Sequence, residues 1–584
     1  MAVGEPRKDW QITQVSWTDG TAQDVYYWQE HSFQYSANIN CDDEMHWIKL
    51  SQAAEFESDW CSNCQLVSVW SNWVIALNVK NATNPRKFDH NSFGGGTTIS
   101  TASLPKKEVC PWVVFQDKFW FGTTTTIDGQ TINCLDAVNN TWAGTDIIYT
   151  PIDHPDYTDE SISTPIPNPA NRKYMQWPVT AILNYNNTRL VVACNAWLTD
   201  NTTIWVYYPE LDRQGETITI WWQSYTILPW ETGWKKVLQY EAWVTVVWLT
   251  CTFEYLKVWA VDEGWNTKVY YYQGNNNLRS TFVYNVVDLT GVRVTRVYSI
   301  NGIDYYVSSQ DWTDGFVNLY KMVWNTPVSL FHQRAWLDPL DVNFKAPYFV
   351  WPCGIEAGYT DWTFYIADTY GLFRFKYTPQ GYDKGYMKWK FRTNQEHPYW
   401  VCFNQGYLYV STDKGCYKMR AYDTGKDGYQ EKWVLISREF EGSEWGTITK
   451  MLDEIRLNFE LNPLTNYNWE IDVYVSPNNL WKNTHTFTEA NNWYHAMHID
   501  QTNIGTRTEK SNLFNDMWGN EGSSFKFDWQ TITYAIVITR YTAPSSVDDD
   551  EDPRKRAEHA TPIVRQIDIK YHTKDKVNKV YTIK

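Results

Sequence analysis

The sequence has little that would build helices or cross a membrane. No window repeats apolar residues at i, i+3, i+4 and i+7 over three turns, which argues against a helical core. The most apolar stretch, residues 243–253, is too short and too rich in threonine for a membrane-spanning helix, which needs about 20 apolar residues. No apolar segment follows the first methionine. We therefore expect no signal peptide, no transmembrane segment and no membrane partner.

Positive charge and paired cysteines are also scarce. Lys and Arg number 51 against 67 Asp and Glu, which gives a net charge of −16. Because nucleic-acid phosphates attract basic surfaces, we expect no nucleic-acid specificity. The 10 cysteines are scattered except for Cys61 and Cys64, and no second pair completes a zinc site. These thiols are predicted to be inert and reduced, as in a protein made in a reducing compartment.

Aromatic residues are abundant instead. Tryptophan (35), tyrosine (40) and phenylalanine (24) make up 17% of the 584 residues, and aromatic side chains favour strands. One unit recurs: a polar turn, an apolar-aromatic run, a second turn and another apolar run. This is the pattern of a hairpin with one buried face. The hairpins begin near residues 73, 118, 189, 255, 303, 362 and 406.

The recurrence predicts an all-β fold. The hairpins repeat at or above the spacing of about 40–50 residues that is typical of propeller blades, so we predict a β-propeller of about seven blades over residues 61–435. Stacked β-sandwiches, which also show frequent turns, are the alternative. Over residues 436–584 the strands are longer and polar connections separate them, which predicts a C-terminal, jelly-roll-like β-sandwich. Residues 1–60 are predicted to form an extended N-terminal arm of strand-like segments.

Glycine is sparse for a chain with so many turns. It occurs 29 times, fewer than tryptophan, and several tryptophans follow Asp or Asn where a hairpin favours glycine, which reaches positive φ without strain. One hypothesis is that some of them are UGA codons that mean glycine in the source organism. The alternative is that they are genuine tryptophans packed beneath turns. The clearest cases are Trp312, Trp362, Trp493 and Trp529.

The titratable residues form no recognisable catalytic motif. Two of the carboxylates that could serve glycoside hydrolysis, Asp368 and Asp413, lie at equivalent hairpin turns, where a structural role explains them. His495 and His498 are three residues apart, a spacing that points side chains to opposite faces of a strand. We therefore predict no catalytic residues, no cofactor and no metal site, and expect that the protein is not an enzyme. The other carboxylates considered are Asp42, Asp43, Glu44, Asp262 and Glu263.

The layout of an arm, a propeller and a sandwich resembles the propeller-bearing tail, neck or nozzle proteins of tailed bacteriophage virions. The resemblance rests on the arm segments 32–40 and 47–51 and on the blade hairpins. It implies a structural, non-catalytic component that assembles through its propeller and sandwich surfaces in the host cytoplasm. Its implied partners are other virion proteins and further copies of this chain. Residues 411–415 also resemble the Asp-box turn of several propeller families, including sialidases, where it is a feature of the fold remote from the active site.

Two other functions remain open. One is a carbohydrate-binding or glycoside-hydrolysing propeller, in which exposed aromatic side chains stack on sugar rings. The candidates for that stacking are Trp221, Trp222 and Trp234. The other is a cytoplasmic propeller scaffold that binds host proteins.

Overall fold

The computed structural model describes most of the predicted strands and part of the connections between them. The described residues are 9–15, 17, 33–41, 48–50, 55–70, 72–77, 84–90, 96–99, 104, 110–127, 130–139, 147–149, 167–169, 172–175, 177–195, 201–211, 217–220, 223–226, 233–252, 255–264, 266–273, 278, 282–289, 293–300, 302–309, 316–323, 325–334, 355–357, 363–367, 371–378, 381–390, 398–420, 432–441, 449–460, 469–482, 486–500, 508–512, 528–540 and 563–573. Among them the helical elements are three 3₁₀ turns, at Asp59–Cys61, Pro209–Leu211 and Glu489–Asn491. No helix in this part of the chain is long and apolar enough to cross a membrane.

The N-terminal segment contributes short strands. They are β1 (Asp9–Gln14), β2 (Phe33–Ala37), β3 (Ile39–Asn40), β4 (Lys49–Leu50) and β5 (Glu55–Ser58). β3 and β4 pair with each other, and β1, β2 and β5 pair with strands that come much later in the chain.

The next part of the chain forms four-stranded antiparallel sheets, which we call blades. Blade 1 contains β6 (Gln65–Val69), β7 (Trp73–Leu77), β8 (Arg86–Asp89) and β9 (Thr97–Thr98). Blade 2 contains β10 (Trp112–Phe115), β11 (Lys118–Ile127), β12 (Gln130–Asn139) and, after a hairpin of β13 (Ile147–Tyr149) and β14 (Pro167–Pro169), β15 (Arg172–Met175). Blade 3 contains β16 (Val179–Tyr185), β17 (Arg189–Cys194), β18 (Thr203–Tyr207) and, after a hairpin of β19 (Thr217–Ile220) and β20 (Gln223–Thr226), β21 (Trp234–Gln239).

Blades 4 to 6 repeat the same meander. Blade 4 contains β22 (Thr245–Cys251), β23 (Tyr255–Val261), β24 (Thr267–Gln273) and β25 (Phe282–Leu289). Blade 5 contains β26 (Arg293–Ile300), β27 (Ile303–Ser309), β28 (Phe316–Val323) and β29 (Thr326–Arg334). Blade 6 contains β30 (Ile355–Ala357), β31 (Thr363–Ala367), β32 (Gly371–Thr378) and β33 (Gly381–Lys390).

Blade 7 is closed by the N-terminal segment. It contains β34 (Pro398–Asn404), β35 (Tyr407–Thr412) and β36 (Cys416–Arg420), and its outer strand is β5. In this pairing Cys416 lies opposite Ser58 and Lys418 lies opposite Glu55. A strand from one end of the propeller thus completes the blade at its other end.

The seven blades of the described chain form a ring. The first strand of a blade contacts the first strand of the next, from β10 to β16, β22, β26, β30 and β34, and β34 contacts β6 of blade 1. Blades 1 and 2 share a buried cluster that includes Val67 and Phe119. The fold is therefore an all-β protein with a β-propeller, and the blade number agrees with the hairpin spacing of the sequence.

Short turns with left-handed residues build the hairpins of the blades. Asn186 and Asn187, between β16 and β17, both have positive φ, as do Gln405 and Gly406 between β34 and β35. A two-residue hairpin turn of this kind matches the twist of its strands, and asparagine and glycine tolerate its backbone angles best.

The C-terminal part of the chain forms two further antiparallel sheets. Its strands are β37 (Lys432–Ser437), β38 (Lys450–Glu460), β39 (Trp469–Pro477), β40 (Tyr494–Asp500), β41 (Thr508–Asn512), β42 (Asp528–Trp529), β43 (Ile532–Arg540) and β44 (Ile563–Thr573). Sheet I has the order β2-β37-β43-β39-β40, and sheet II has the order β1-β44-β38-β41, with β42 also paired to β38. The two sheets share one buried apolar cluster, which includes Trp433 and Ile471 of sheet I and Ile455 and Ile567 of sheet II. The jelly-roll-like connectivity stays a prediction.

The N-terminal segment is built into these sheets. β1 runs antiparallel to β44, β2 runs antiparallel to β37, and Trp17, Phe33 and Ile39 are buried in the shared cluster. Residues 1–60, predicted to be an extended arm, therefore supply strands to sheet I, sheet II and blade 7. β37 spans the predicted boundary at residue 436, so the described strands change from propeller to C-terminal sheets between Arg420 and Lys432.

Candidate functional site

The tryptophans proposed to stack on sugars fall in two groups. Trp221 and Trp222 lie outside the described residues. Trp234 begins β21, the outer strand of blade 3, and is half-buried. Its ring centroid lies 5.3 Å from that of Tyr207 on the neighbouring strand, and it packs against a buried cluster that blades 2 and 3 share. In this structure Trp234 is a packing residue.

The tryptophans at turns include some that support genuine tryptophan and some that support misread glycine. Trp493 and Trp529 are buried, and Trp529 packs edge-on against Tyr571 at 5.0 Å, as genuine tryptophans would. Two tryptophans outside the group that follows Asp or Asn, Trp70 (φ +43°) and Trp243 (φ +77°), have left-handed backbones, which favour glycine. Trp312 and Trp362 lie outside the described residues, so both hypotheses remain open.

Of the candidate carboxylates that the structure describes, Asp262 bonds within its own turn. Oδ1 of Asp262 accepts a hydrogen bond from the backbone N–H of Asn266 at 2.9 Å. In the turn that contains Asp413, the Thr412 hydroxyl accepts from the N–H groups of Lys414 and Gly415 at 3.1 and 3.2 Å. Such bonds hold the two turns and give Asp262 a structural role. Glu263 follows Asp262 in the first turn, and Asp413 lies in the second. Asp42, Asp43, Glu44 and Asp368 lie outside the described residues.

A buried ion pair joins blades 4 and 5. Lys257 on β23 and Asp304 on β27 are both buried, and Nζ lies 2.7 Å from Oδ2. The Thr250 hydroxyl also donates to Oδ2 at 3.1 Å and accepts from the indole N–H of Trp259 at 3.1 Å. Because each charge satisfies the other, removal of either would leave an uncompensated charge in the interior.

A second polar junction closes the ring between blades 7 and 1. The hydroxyl of Tyr409 lies 2.6 Å from Nδ1 of His90, and Nζ of Lys418 donates to the backbone oxygen of His90 at 3.2 Å. Burial lowers the pKa of His90, and the nearby positive charge of Lys418 lowers it further. The neutral imidazole is therefore the form that fits the folded ring.

The predicted inert thiols lie beside this junction. Cys61, Cys64, Cys402 and Cys416 are buried in one cluster and all four are free thiols. Burial raises the pKa of Cys64 and of Cys416 well above the usual value. All four thiols are enclosed, and enclosed thiols react poorly, so their role in this structure is packing.

Within the described residues, three metal-ligand side chains converge on sheet I, at β39 and β40. His495 and His498 flank Asp472, and the potential ligand atoms of the three residues lie within 4.8 Å of one another. Nε2 of His495 is 2.9 Å from Asp472 Oδ1, and Nδ1 of His498 is 2.8 Å from the same oxygen. We call this group the Asp472 cluster.

The prediction that His495 and His498 point to opposite faces is wrong. The pairing of β39 with β40 shifts register between Val473, opposite Met497, and Tyr474, opposite His495. The extra residue, Ala496, makes a β-bulge, so Ala496 and Met497 both pack on the core cluster. A bulge interrupts the alternation of the pleat, and both imidazoles therefore reach the same carboxylate.

The two histidines also set the charge state of Asp472. Burial opposes ionisation of the carboxyl, but hydrogen bonds from His495 and His498 and their positive charge outweigh it and lower the pKa of Asp472. Two imidazole nitrogens and an ionised carboxylate are thus held together on the outer face of the sheet. These are donor types that divalent transition metals accept.

An exposed apolar row lies on the outer strand of blade 4. Val283, Tyr284 and Val286 of β25 are 49%, 58% and 44% exposed. The Tyr284 ring lies 5.2 Å from that of Tyr255, which fixes its position on the surface. Solvent-facing apolar groups on an edge strand offer a surface for another chain.

No family model and no curated protein matches this chain. Solved structures with similarity to it include the β-propeller domain of the Trilobed protease from Pyrococcus furiosus, with 9% identity, 56% of this chain and 91% of that chain covered, and a TM-score of 0.30. Virginiamycin B lyase from Staphylococcus aureus has 9% identity, coverage of 63% and 97%, and a TM-score of 0.35. BamB from Moraxella catarrhalis has 9% identity, coverage of 67% and 98%, and a TM-score of 0.30. Nothing about function follows from similarities of this kind.

Proposed function

We propose that this protein is a non-catalytic structural component of a tailed bacteriophage virion, in a tail, neck or nozzle position. The observation that carries the proposal is the apolar row of β25, because it gives the propeller rim a surface suited to subunit contact. The partners under this proposal are other virion proteins and further copies of the chain.

The polar groups of the propeller support the same role. The Lys257–Asp304 pair joins blades 4 and 5, and the Tyr409–His90 contact joins blades 7 and 1. Buried polar groups that bond across blades hold a ring rigid. Rigidity suits a component whose task is to keep its shape in an assembly.

The test of the virion role is the composition of purified particles. Mass spectrometry of density-purified phage from the source should detect this chain at a fixed ratio to the major capsid protein. Particles complete for infection that lack the chain would contradict the proposal.

The contribution of β25 is tested on the recombinant protein. Val286→Asp should lower the self-associated fraction measured by analytical ultracentrifugation, because a charge replaces part of the apolar row. Val328→Asp is the matched control, since Val328 is 42% exposed on β29, the outer strand of blade 5. Equal association of both variants and the parent chain would remove β25 from the proposed contact.

A further inference from the structure

We propose that the Asp472 cluster binds one divalent transition-metal ion of the zinc class. The inference concerns sheet I alone and is independent of the proposed virion role. The donors are Oδ1 of Asp472, Nε2 of His495 and Nδ1 of His498, which converge within 4.8 Å.

The spacing of the donors fits a small ion. Zinc binds imidazole nitrogen and carboxylate oxygen at about 2.0–2.2 Å, so neighbouring donors of a tetrahedral site lie about 3.3 Å apart. The two nitrogens lie 2.9 and 2.8 Å from the carboxylate oxygen. Binding needs an opening of a few tenths of an ångström at each of these two contacts, and the two nitrogens, which lie within 4.8 Å of each other, must adopt the same tetrahedral spacing. Exposed imidazole rings can make this adjustment by rotation of their side chains.

Both imidazole nitrogens face the same oxygen. In the metal-free chain each can donate a hydrogen bond to Oδ1 of Asp472, which has lone pairs for both. A bound divalent ion would take the place of these two protons, which pass to solvent or to the other nitrogen of each ring. One ion would then coordinate the inward-facing atoms of all three residues.

The exposure of the cluster leaves room for further ligands. The side chains of His495 and His498 are 41% and 39% exposed, and that of Asp472 is 16% exposed. Three protein donors with an open side are the arrangement that leaves a coordination position for water or an incoming group. The ion can enter from solvent without any rearrangement of the sheet.

The backbone beneath the cluster is held in place. Asp472 lies on β39, which is paired on both sides, with β43 and with β40. Its neighbours Ile471 and Val473 are buried in the core cluster, as are Ala496 and Met497 of the bulge. The donors therefore project from a rigid sheet, which lowers the entropic cost of assembling the site.

The donor set determines which ion the site prefers. Two imidazoles and one carboxylate suit Zn²⁺, Co²⁺ or Ni²⁺, whereas Mg²⁺ and Ca²⁺ prefer oxygen ligands. We therefore expect Zn²⁺ to bind at one ion per chain, and Co²⁺ to replace it with visible absorption bands of a nitrogen- and oxygen-ligated ion. A tenfold excess of Mg²⁺ or Ca²⁺ should leave this binding unchanged.

The test uses the full-length chain after treatment with EDTA, titrated with ZnCl₂ by calorimetry and with CoCl₂ by absorption spectroscopy. His495→Ala, His498→Ala and Asp472→Asn should each weaken Zn²⁺ binding at least 100-fold and remove the Co²⁺ bands. Circular dichroism should match the parent chain, because all three side chains project from the surface.

A matched control is present on sheet II. His572 Nδ1 lies 2.8 Å from Asp453 Oδ1, which is a histidine–carboxylate pair with one imidazole. His572→Ala should leave Zn²⁺ binding unchanged. Zinc that binds equally to the parent chain and to His495→Ala/His498→Ala, or no binding to the parent chain at all, would overturn the proposal.

Discussion

The propeller and the C-terminal sheets are both made of antiparallel strands, but they recruit those strands differently. Six of the seven described blades take their strands in chain order from one stretch of sequence, with an inserted hairpin in blades 2 and 3, whereas blade 7 takes its outer strand, β5, from the N-terminal segment. Sheets I and II instead combine β1 and β2 with strands that follow the whole propeller. The N-terminal segment is thus one outer strand of the propeller and a substantial part of the C-terminal core.

The two regions also differ in what holds them together. Adjacent blades share small apolar clusters and buried polar contacts, such as Lys257 with Asp304 and Gln65 with the backbone of Cys110. Sheets I and II share one large apolar cluster. Removal of a buried charge should therefore destabilise the propeller most. Removal of buried apolar volume or of an edge strand should destabilise the C-terminal sheets most.

Removal of the N-terminal strands should have the largest effect. Deletion of residues 1–50 removes β1 and β2 and the buried Trp17 and Phe33, so sheets I and II should lose their protection in hydrogen exchange while the blades keep theirs. Deletion of residues 1–60 also removes β5 and should expose blade 7. Deletion of residues 1–8, which precede β1, is the control and should change neither region. If sheets I and II keep the same protection in the 1–50 deletion variant as in the parent chain, the comparison is refuted.

The second-largest effect is expected from the loss of one partner of the buried ion pair. Asp304→Asn leaves Lys257 charged without its counter-ion and should lower the free energy of unfolding by about 3–5 kcal/mol, measured by urea denaturation. The double variant Lys257→Met/Asp304→Leu should lose less than the single one, because no charge is left buried.

A pair with one exposed partner provides the control for this experiment. Arg189 and Glu210 lie 2.7 Å apart, and the side chain of Arg189 is 11% exposed while that of Glu210 is 42% exposed. Glu210→Gln should change the free energy of unfolding by less than about 1 kcal/mol, since water screens the pair. A loss as large as that of Asp304→Asn would show that burial is not the deciding factor.

The ring-closing contact of blades 7 and 1 should have a smaller and pH-dependent effect. Tyr409→Phe removes the hydroxyl bonded to His90 and should cost about 1–2 kcal/mol of unfolding free energy. Because burial lowers the pKa of His90 below 6.5, the unfolded chain takes up a proton at a pH where the folded chain does not. The contribution of His90 to the free energy of unfolding should therefore be constant above about pH 7.5. It should fall as the pH drops through about 6.5.

The pH dependence is assigned by comparison with His90→Gln. Denaturation curves between about pH 8 and 5 should show a smaller loss of stability at low pH in this variant than in the parent chain. Parallel curves for the two proteins would mean that other groups cause the decline.

The smallest expected effect concerns the turn tryptophan before blade 4. Trp243 has φ +77° and is 50% exposed, so Trp243→Gly should raise the free energy of unfolding by up to about 1 kcal/mol through relief of backbone strain. Trp234→Gly, on a strand with its ring packed against Tyr207, should lower it. If both variants lose stability equally, the hypothesis that glycine belongs at residue 243 fails.

The propeller was predictable because its information is local. The hairpin of β35 and β36, for example, is visible as two apolar runs around a short turn, and period-two alternation identifies each strand. The closure of blade 7 by β5 was not predictable, since Ser58 and Cys416 share no local pattern. The pairing of β1 with β44 was not predictable for the same reason.

The chemistry of the molecule was harder to predict than its fold. Lys257 lies in an apolar strand, and its partner Asp304 belongs to the next blade, so alternation alone gives no sign of a buried pair. The Asp472 cluster depends on a bulge at Ala496, which reverses the expected direction of His498. A spacing rule that assumes an unbroken pleat fails wherever one residue is added to a strand.

The antiparallel ladder of β1 and β44 has a consequence for biosynthesis. The Thr13 hydroxyl donates to Oδ1 of Asp568 at 2.7 Å across 555 residues of chain. At a translation rate of about 5–20 residues per second, roughly 30–110 s separate the emergence of these two partners from the ribosome. During that interval β1 has been synthesised but its partner β44 has not. A chaperone or a neighbouring nascent copy can therefore bind the N-terminal strand before β44 does.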